Sequence, residues 1–433
     1  MVCTMQTSGG VRVERDLSAA RSFRRHQTVT LSLLFLAGIV NFLDRSSLSI
    51  ANTTVRAEMH LNATQMGWLL SAFSFAYGLA QLPLIGLLDR VGTRAVLGGG
   101  LVVWSAAQML TGFVRTLPQF LMLRVLLGVG EAPFYPSGIR STREWFSAET
   151  RGRATAVMSS SQTIGLSFAP PVLTWIMLQM GWRGMFIVLG AAGLVVAAAW
   201  IALHRARRDT EFAEPEEVQI ASEAGESAWR VLIRQRAVWG MMLGWGGVNY
   251  TVWLYLAWLP AYLQEQRHLS LAKSGWVAAL PFLAGAVGML TSGALSDWLA
   301  KRGTALTTIH RRNLVVGMVA SAAGTFLVAR SGSTAQAVAG ISAALFFIHF
   351  GGTSGWGYVQ AISPLRYVAS LGALQNFASF MIASAAPVVT GWLLDRTHSF
   401  TIALGVCSAV TLLGALSYAT LAAPSGMKIA QKA

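Results

Sequence analysis

The stretch TVTLSLLFLAGIVNFLDRSSLSIAN, residues 28–52, decides the fold class of this 433-residue chain. It is almost continuously apolar and exceeds the ~20 residues that a helix needs to cross the hydrocarbon core of a bilayer. It is also too long for the apolar region of a cleaved signal peptide. The stretch therefore predicts a first membrane-spanning helix, which carries Asn41, Asp44 and Arg45 inside its apolar run.

Apolar runs of this kind recur along the whole chain. Hydrophobic residues make up 54% of the sequence and charged residues 12%, with a mean hydropathy of +0.53, whereas soluble domains are roughly a quarter charged. These values exclude an ordinary soluble enzyme and predict an all-α membrane protein with twelve transmembrane helices in two six-helix bundles. The predicted spans are 28–52, 64–88, 94–114, 117–140, 153–178, 182–203, 237–263, 272–298, 312–330, 334–360, 367–394 and 399–422.

The spans fall into two groups of six, separated by a polar segment. We predict a cytoplasmic tail at 1–26, a bundle at 27–203, a cytoplasmic linker at 204–235, a second bundle at 236–423 and a tail at 424–433. A weak internal repeat supports two parallel halves, because Leu87-Leu88-Asp89 at the end of the second span is echoed by Leu295-Ser296-Asp297 at the end of the eighth. Two such halves are typical of transporters that bind substrate near the membrane midplane.

The net charge of +15 follows the positive-inside rule. The basic residues are scattered between apolar runs, which argues against nucleic acid as a partner. With the predicted topology, the termini and even-numbered loops hold 24 Lys and Arg residues and the odd-numbered loops hold 7, so we expect both termini in the cytoplasm. The two cysteines, Cys3 and Cys407, form no disulfide framework or Cys metal site, and no metal or cofactor is predicted.

Four charged residues fall deep inside predicted spans, away from the span ends: Asp44, Arg45, Arg124 and Glu131. Unpaired at the bilayer centre, they would together cost on the order of 10 kcal/mol, so they must pair or face water. Arg124 and Glu131, seven residues apart, share one helix face, whereas Asp44 and Arg45 point about 100° apart. One interpretation is a static network that locks the helices. We favour a proton and substrate site, because buried ion pairs add little net stability and membrane carboxylates commonly relay protons.

Three segments resemble the motifs of a known family. Asn41-Phe42-Leu43-Asp44-Arg45-Ser46 resembles N-Y-x-D-R-x, RVLLGVGEAPFYP at 124–136 resembles R-x-x-x-G-x-x-E-A-P-x-x-P, and 87–94 (LLDRVGTR) resembles the loop motif G-x-L-x-D-R-x-G-R-K. The loop motif is that of the major facilitator superfamily, and the other two are similar to segments of its anion:cation symporter family. The resemblance runs from end to end and includes D-galactonate and other sugar-acid carriers. Phe42 in place of Tyr and Ile85 in place of the first Gly depart from these patterns.

The resemblance implies roles for the charged residues. Asp44 and Glu131 would be the protonatable pair, and Arg124 would be a partner of the helix 1 acid. Arg45 would bind the substrate carboxylate, which suits the planar fork of a guanidinium.

The resemblance also implies roles for neutral residues and for one loop. The residues that would bind substrate hydroxyls are Tyr77 and Gln162 in the first half and Thr353, Ser354, Trp356 and Asn376 in the second. The residues of the gating motif would be Asp89, Arg90 and Arg94. None of them is expected to be catalytic.

Together these features predict a secondary transporter in a bacterial inner membrane. It would import a small organic anion by proton symport, most readily a sugar acid such as a hexonate, hexuronate or aldarate. Its partners would be that anion, protons and membrane lipids, and we expect a monomer. An aromatic-carboxylate symporter is one alternative, because Phe42, Tyr77 and Trp356 could sandwich a ring. A transporter-like receptor that does not translocate is another, whereas an enzyme is not expected, because no catalytic set or phosphate loop is present.

Overall fold

The structure of the protein is a computed structural model that describes residues 8–207, 228–364 and 367–423. Most of the predicted linker and the whole predicted C-terminal tail lie outside these residues. Within them the chain forms fourteen helices and no β-strand. The helices are α1 (Ser8–Glu58), α2 (Ala63–Val91), α3 (Thr93–Thr111), α4 (Leu117–Glu131), α5 (Phe134–Trp145), α6 (Ala148–Leu203), α7 (Ala228–Ile233), α8 (Arg236–Glu265), α9 (Leu271–Lys301), α10 (Leu306–Ala329), α11 (Thr334–Ile362), α12 (Val368–Ala383), α13 (Ala385–Thr397) and α14 (Phe400–Thr420).

The helices reproduce the predicted spans with three differences of continuity. The predicted fourth span is divided into α4 and α5 at Ala132 and Pro133, where a proline removes a backbone donor and crowds the preceding turn. The predicted fifth and sixth spans are joined in α6, and their boundary is Gly181, whose φ of 69° only glycine adopts readily. The predicted eleventh span is divided into α12 and α13 at Ser384.

The helices pack as two bundles of six spans. In the first bundle α1 and α3 pack against α6, and α2 and α3 pack against α4. In the second bundle α11 packs against α9 and α10, while α8 packs against α12 and α14. The bundles meet along three helix pairs, α2 with α13, α6 with α9 and α1 with α8. The predicted all-α architecture of two six-helix bundles is therefore confirmed.

The outer surface is apolar, as a lipid environment requires. Large exposed side chains include Trp175 at 65% and Leu290 at 77% of full exposure. Of the described helices, seven are by length and composition suited to crossing a membrane on their own. Because α6 contains two predicted spans, and α4 and α5 are 15 and 12 residues long, helix and span numbers differ.

A polar seam joins the two halves at the end of the molecule where α1 ends and α2 begins. We define the seam as the contacts of Arg56 with Glu265 and of Ala63, Thr64 and Gly67 with 387–395. The carboxylate of Asp395 in α13 accepts hydrogen bonds from Ala63 N at 2.8 Å, Thr64 N at 2.8 Å and Thr64 Oγ1 at 2.5 Å. It therefore caps the start of α2 from the opposite half, where the helix dipole favours a negative charge.

The seam also brings backbone against backbone. A Cβ placed on Gly67 would lie 2.6 Å from Pro387 O, and one on Gly391 would lie 2.2 Å from Ala63 O, so both positions need glycine. Arg56 adds an ion pair to Glu265, with Nη1 and Oε1 2.6 Å apart. Burial raises the pKa of the Glu265 carboxyl above its usual value, and Arg56 opposes this rise.

Candidate functional site

A buried ion pair lies at the centre of the first half. Arg45 Nε on α1 donates to Glu131 Oε2 at the end of α4 over 2.8 Å, and the two side chains are 6% and 0% exposed. Arg45 Nη2 and Glu131 Oε1 are also buried, but neither has a hydrogen-bond partner among the described residues. A guanidinium with a free donor can hold a second acceptor, so the pair is incomplete as a structural contact.

Aromatic rings surround the guanidinium of Arg45. Its Cζ lies 5.0 Å from the ring centroid of Phe42, 5.2 Å from that of Phe73 and 4.7 Å from that of Tyr77. At these distances the ring faces attract a cation. The rings cover the pair, and among the described residues Arg45 Nη2 has no hydrogen-bond acceptor.

The aromatic wall continues across the interface between the halves. The Tyr77 ring lies 4.7 Å from the Phe380 ring of α12, and the Phe73 ring lies 5.8 Å from the Trp253 ring of α8. Trp253 and Phe380 are in turn 6.0 Å apart. Arg45 is thus separated from the second half by one layer of aromatic rings.

The other two charged residues make few contacts. Both carboxylate oxygens of Asp44 are buried and have no hydrogen-bond partner among the described residues. Arg124 Nε reaches Leu69 O at 3.4 Å, its Nη1 has no partner, and its Cζ lies 5.3 Å from the Phe73 ring. The ion pair of this cluster therefore joins Arg45 to Glu131, and the expected pairing of Arg124 with Asp44 is not formed in this conformation.

Two predicted substrate ligands of the first half lie near the cluster. Tyr77 is 2% exposed and contributes its ring to the Arg45 surroundings. Gln162 on α6 accepts a hydrogen bond from the Tyr135 hydroxyl at 2.7 Å. Tyr135 was not among the predicted site residues, although it stands in the motif segment at 124–136. Its hydroxyl orients the amide that we expected to bind substrate.

The predicted residues of the second half separate into two groups. Asn376 reaches the first half, because its Nδ2 donates to Gln81 Oε1 on α2 over 2.8 Å. Ser354 points into its own bundle, where its Oγ accepts from Asn313 Nδ2 at 3.3 Å and lies 3.4 Å from Ser292 Oγ. Thr353 donates to the carbonyl of His349 one turn earlier at 2.9 Å.

Two further positions of the second half bear on the site. Trp356 is 46% exposed, and its ring lies 6.3 Å from that of Trp245. Gln375, beside Asn376, is fully buried and neither of its amide atoms has a partner among the described residues. A buried amide without partners is costly and is therefore a candidate for contact with a bound molecule.

Comparisons with known proteins identify the family of the chain. Residues 34–387 match the Major Facilitator Superfamily. The chain belongs to this superfamily. It is 46% identical over 425 residues to a protein of Escherichia coli (strain K12) named "Probable L-galactonate transporter", covering 96% of this chain and 94% of that protein.

Other relatives of this superfamily member carry similar names. One of Escherichia coli (strain K12), "Probable galactarate/D-glucarate transporter GarP", is 32% identical over 90% of this chain and 93% of its own. The fold also matches a crystal structure of a bacterial homolog to the human lysosomal transporter Spinster, with a TM-score of 0.74, 17% identity and coverage of 94% and 97%. The predictions of a multi-pass membrane transporter and of no enzymatic activity are thus confirmed.

The gating residues of the superfamily loop motif are only partly placed. Arg94 Nη2 donates to Ile201 O at 2.6 Å, and Arg94 O accepts from Trp200 Nε1 at 3.1 Å, so this arginine ties α3 to α6 within one half. Arg90 is exposed at the end of α2. The side chains of Asp89 and Ile85 lie outside the described residues.

Proposed function

We propose that the protein imports a sugar acid, most specifically a hexonate, together with protons across a bacterial inner membrane. The relatives named above support the substrate class, since the 46% identical one is named for L-galactonate. The observation that carries the proposal is the incomplete Arg45–Glu131 pair, which leaves a buried guanidinium nitrogen and a carboxylate oxygen unsatisfied.

In the proposed cycle two carboxylates compete for one guanidinium. Without substrate, Glu131 is ionised and holds Arg45. Protonation of Glu131 removes its charge and weakens its hold, and the planar fork of Arg45 then accepts the substrate carboxylate in a bidentate contact. Proton uptake and substrate binding thereby favour each other. Protonation of Glu131 leaves the charge of Arg45 unpaired until the substrate carboxylate binds, and a bound substrate would leave an ionised Glu131 unpaired until it takes up a proton.

Asp44 supplies a second proton position in this proposal. Its carboxylate is fully buried and lacks any donor among the described residues, and an ionised carboxylate without donors is unfavourable in a low-dielectric site. Arg124 stays charged at all working pH values and balances Asp44 when that acid is ionised.

The proposal also assigns the direction of the present conformation. With both termini in the cytoplasm, as the distribution of Lys and Arg supports, the seam faces the outside and is closed. Between described residues, the hydrogen bonds that join the halves lie in the seam, in the last third of α1 and α8 beside it, as at Thr53 and Gln264, or near the middle of the helices, as at Gln81 and Asn376. The binding region would then open toward the cytoplasm, ready to release substrate.

The aromatic wall makes aromatic carboxylates a second candidate substrate class. Phe42 and Tyr77 both lie against Arg45, so a ring that carries a carboxylate could stack beside them. In the present arrangement the ring faces are occupied by the guanidinium itself, and Trp356 pairs with Trp245 instead of joining them. This geometry favours a flexible polyhydroxy acid over a flat ring.

Uptake into proteoliposomes tests the proposal. Labelled L-galactonate, D-galactonate, galactarate, glucuronate and 4-hydroxybenzoate are offered with and without an inward proton gradient. We expect gradient-driven uptake of a hexonate by the wild type. Glu131→Gln should abolish that uptake while preserving exchange of substrate down its own gradient, and Glu149→Gln, at an exposed acid at the start of α6, serves as the matched control. Equal uptake with and without the gradient would refute symport, and uptake of 4-hydroxybenzoate alone would refute the sugar-acid assignment.

A further inference from the structure

A cavity of about 390 Å³ lies on the surface of the first half, at the end opposite the seam. It is formed where α2 ends, α3 begins and the end of α6 passes beside them. The residues that matter for its chemistry are Val91, Thr93, Arg94, Ala95, Gly99 and Ile201. Most of the lining residues are apolar or glycine, and the proposed transport cycle assigns no role to Thr93 or to the backbone at the start of α3.

The floor of the cavity is the uncapped start of α3. Gly92 precedes the helix with a φ of 88° and has no side chain that could cap it. The first backbone hydrogen bond of this turn runs from Val96 N to Gly92 O at 3.2 Å, and helix geometry leaves the N–H groups of Thr93, Arg94 and Ala95 without intrahelical acceptors. The dipole of this 19-residue helix adds partial positive charge at the same point.

A second, independent observation points to a ligand. Thr93 lines the cavity and is 1% exposed, yet its Oγ1 has no hydrogen-bond partner among the described residues. A buried hydroxyl is normally satisfied. At the first position of α3 this hydroxyl and the free N–H groups can bind the same acceptor.

Basic residues outnumber acidic ones in the segments that form the cavity, where Asp89 at the end of α2 is the acid. Arg94 lines it and is held in place by Ile201 O, and Arg90 is exposed one turn before the helix starts. Arg205 and Arg207 follow the end of α6. A phosphate group fits such a set, because it accepts several hydrogen bonds and carries the opposite charge.

The apolar rim decides between a soluble phosphate and a lipid. Val91 and Ile201 are 46% and 44% exposed on either side of the opening, and beside them Gly99 leaves open space. Acyl chains can lie along this rim while the phosphate sits on the helix start, at the depth where headgroups are found. We infer that the start of α3 binds the phosphate of an anionic phospholipid and that Thr93 and the free N–H groups are its ligands.

Lipid binding to the full-length purified protein tests this inference. Delipidated protein is titrated with phosphatidylglycerol, with diacylglycerol, which lacks the phosphate, and with inorganic phosphate, and each complex is measured by native mass spectrometry and by its melting temperature. The variants are Thr93→Val, which removes only the hydroxyl, and Gly99→Leu, which fills the open space. Thr111→Val on the same helix and Gly405→Leu, also at an open position, are the matched controls.

We expect phosphatidylglycerol to bind wild type and both controls. Its affinity should fall about tenfold in Thr93→Val and in Gly99→Leu, a change worth about 1.4 kcal/mol, while the lipid-free variants keep the wild-type melting temperature within about 2 °C. Equal affinity in all five proteins would overturn the site. Stabilisation by inorganic phosphate that is lost in Thr93→Val, with phosphatidylglycerol no better than diacylglycerol, would overturn the lipid assignment.

Discussion

The two halves contribute different chemistry to the central region. The first half supplies charge, with Arg45 and Glu131 paired and Asp44 and Arg124 close by without mutual contact. The spans of the second half carry no charged residue except near their ends, and that half offers amides and rings. The second half thus repeats the six-helix fold of the first but not the charged residues within its spans.

This difference separates energy coupling from gating. Because Arg45 and Glu131 belong to one rigid half, rocking of the halves need not break their pair. What rocking changes is which neutral groups of α8 and α12 face them. In the proposed symport, proton exchange would be a local event of the first half, and the second half would determine when the site is accessible.

Loss of Arg45 should have the largest effect. Arg45→Met leaves Glu131 buried without the one ion-pair partner that it has among the described residues, and breaking a buried pair costs about 3–5 kcal/mol. We expect uptake and substrate binding to fall at least about 100-fold. Arg183→Met, at a surface ion pair with Glu58, should keep more than half of the activity. Binding of the hexonate at wild-type affinity by Arg45→Met would remove Arg45 from the site.

Loss of the Asp44 charge should affect coupling without affecting the fold. Because the Asp44 carboxylate has no hydrogen-bond donor among the described residues, Asp44→Asn should change the free energy of unfolding by less than about 1 kcal/mol. Gradient-driven uptake should fall about tenfold to 100-fold, whereas exchange persists. Purified protein gives the melting temperature, and proteoliposomes give both transport modes. A strongly destabilised Asp44→Asn would favour the static-network interpretation instead.

The second half should show smaller, non-ionic effects. Asn376→Ala removes the hydrogen bond to Gln81 between the halves, and a hydrogen bond of this kind contributes about 1 kcal/mol. The half-saturating hexonate concentration should rise about fivefold to tenfold, with the gradient dependence intact. Ser354→Ala, whose hydroxyl faces Ser292 and Asn313, should change it less than about twofold. Equal losses in the two variants would show that Ser354 contacts substrate in another conformation.

The seam should respond to Asp395→Asn. This change removes the negative charge that caps α2, and caps contribute about 0.5–2 kcal/mol, so the closed seam should open more often. The reporter is Ser49→Cys, at a buried position, in a Cys3→Ser, Cys407→Ser background. An impermeant maleimide added outside should label it about threefold to tenfold faster when Asp395→Asn is also present. The control is Asp297→Asn, which changes an exposed acid near the end of α9 and should leave the labelling rate unchanged. An unchanged rate in Asp395→Asn would mean that apolar packing alone closes the seam.

The smallest expected effect is a pH dependence of stability in the first half. His204 follows α6, stacks on Trp200 and lies 3.1 Å from Thr30 Oγ1 through Nδ1. Burial, Arg94 and His26 lower its pKa to about 4. Since the unfolded chain binds this proton near pH 6.5, the contribution is complete above pH 6.5 and is lost as the pH falls toward 4.

The melting temperature measures this contribution. Between pH 7 and pH 5 we expect the wild type to lose about 2 °C more than His204→Gln, whose side chain does not titrate. A larger loss in the variant would mean that other acids or histidines dominate the pH dependence.

The fold was predictable because lipid imposes a strict pattern. Runs of ~20 apolar residues have few alternative structures, so the spans and the two bundles were correct. The continuity of the helices was less predictable. The break after Glu131 follows from Pro133, but the joining of two spans through Gly181 depends on a positive φ that the apolar pattern does not encode.

The ion pairing within the candidate site could not be predicted from the sequence. Spacing along one helix places Arg124 and Glu131 on a common face, but the rotation of α1 against α4 decides which acid meets which arginine. That rotation is set by packing of the whole bundle. Asp395 was missed although a signal existed, since Leu393-Leu394-Asp395-Arg396 repeats the letters of Leu87-Leu88-Asp89-Arg90.

The glycine contacts of the seam have a consequence for the cell that houses the protein. A carrier driven by an ion gradient is useful only if it does not short-circuit that gradient while its binding region is emptied on the far side. At Gly67 and Gly391 the halves meet backbone to backbone, with no room for a side chain between them. We expect a methyl group at either position, as in Gly67→Ala or Gly391→Ala, to push the halves apart and so to weaken the closure that keeps the gradient intact.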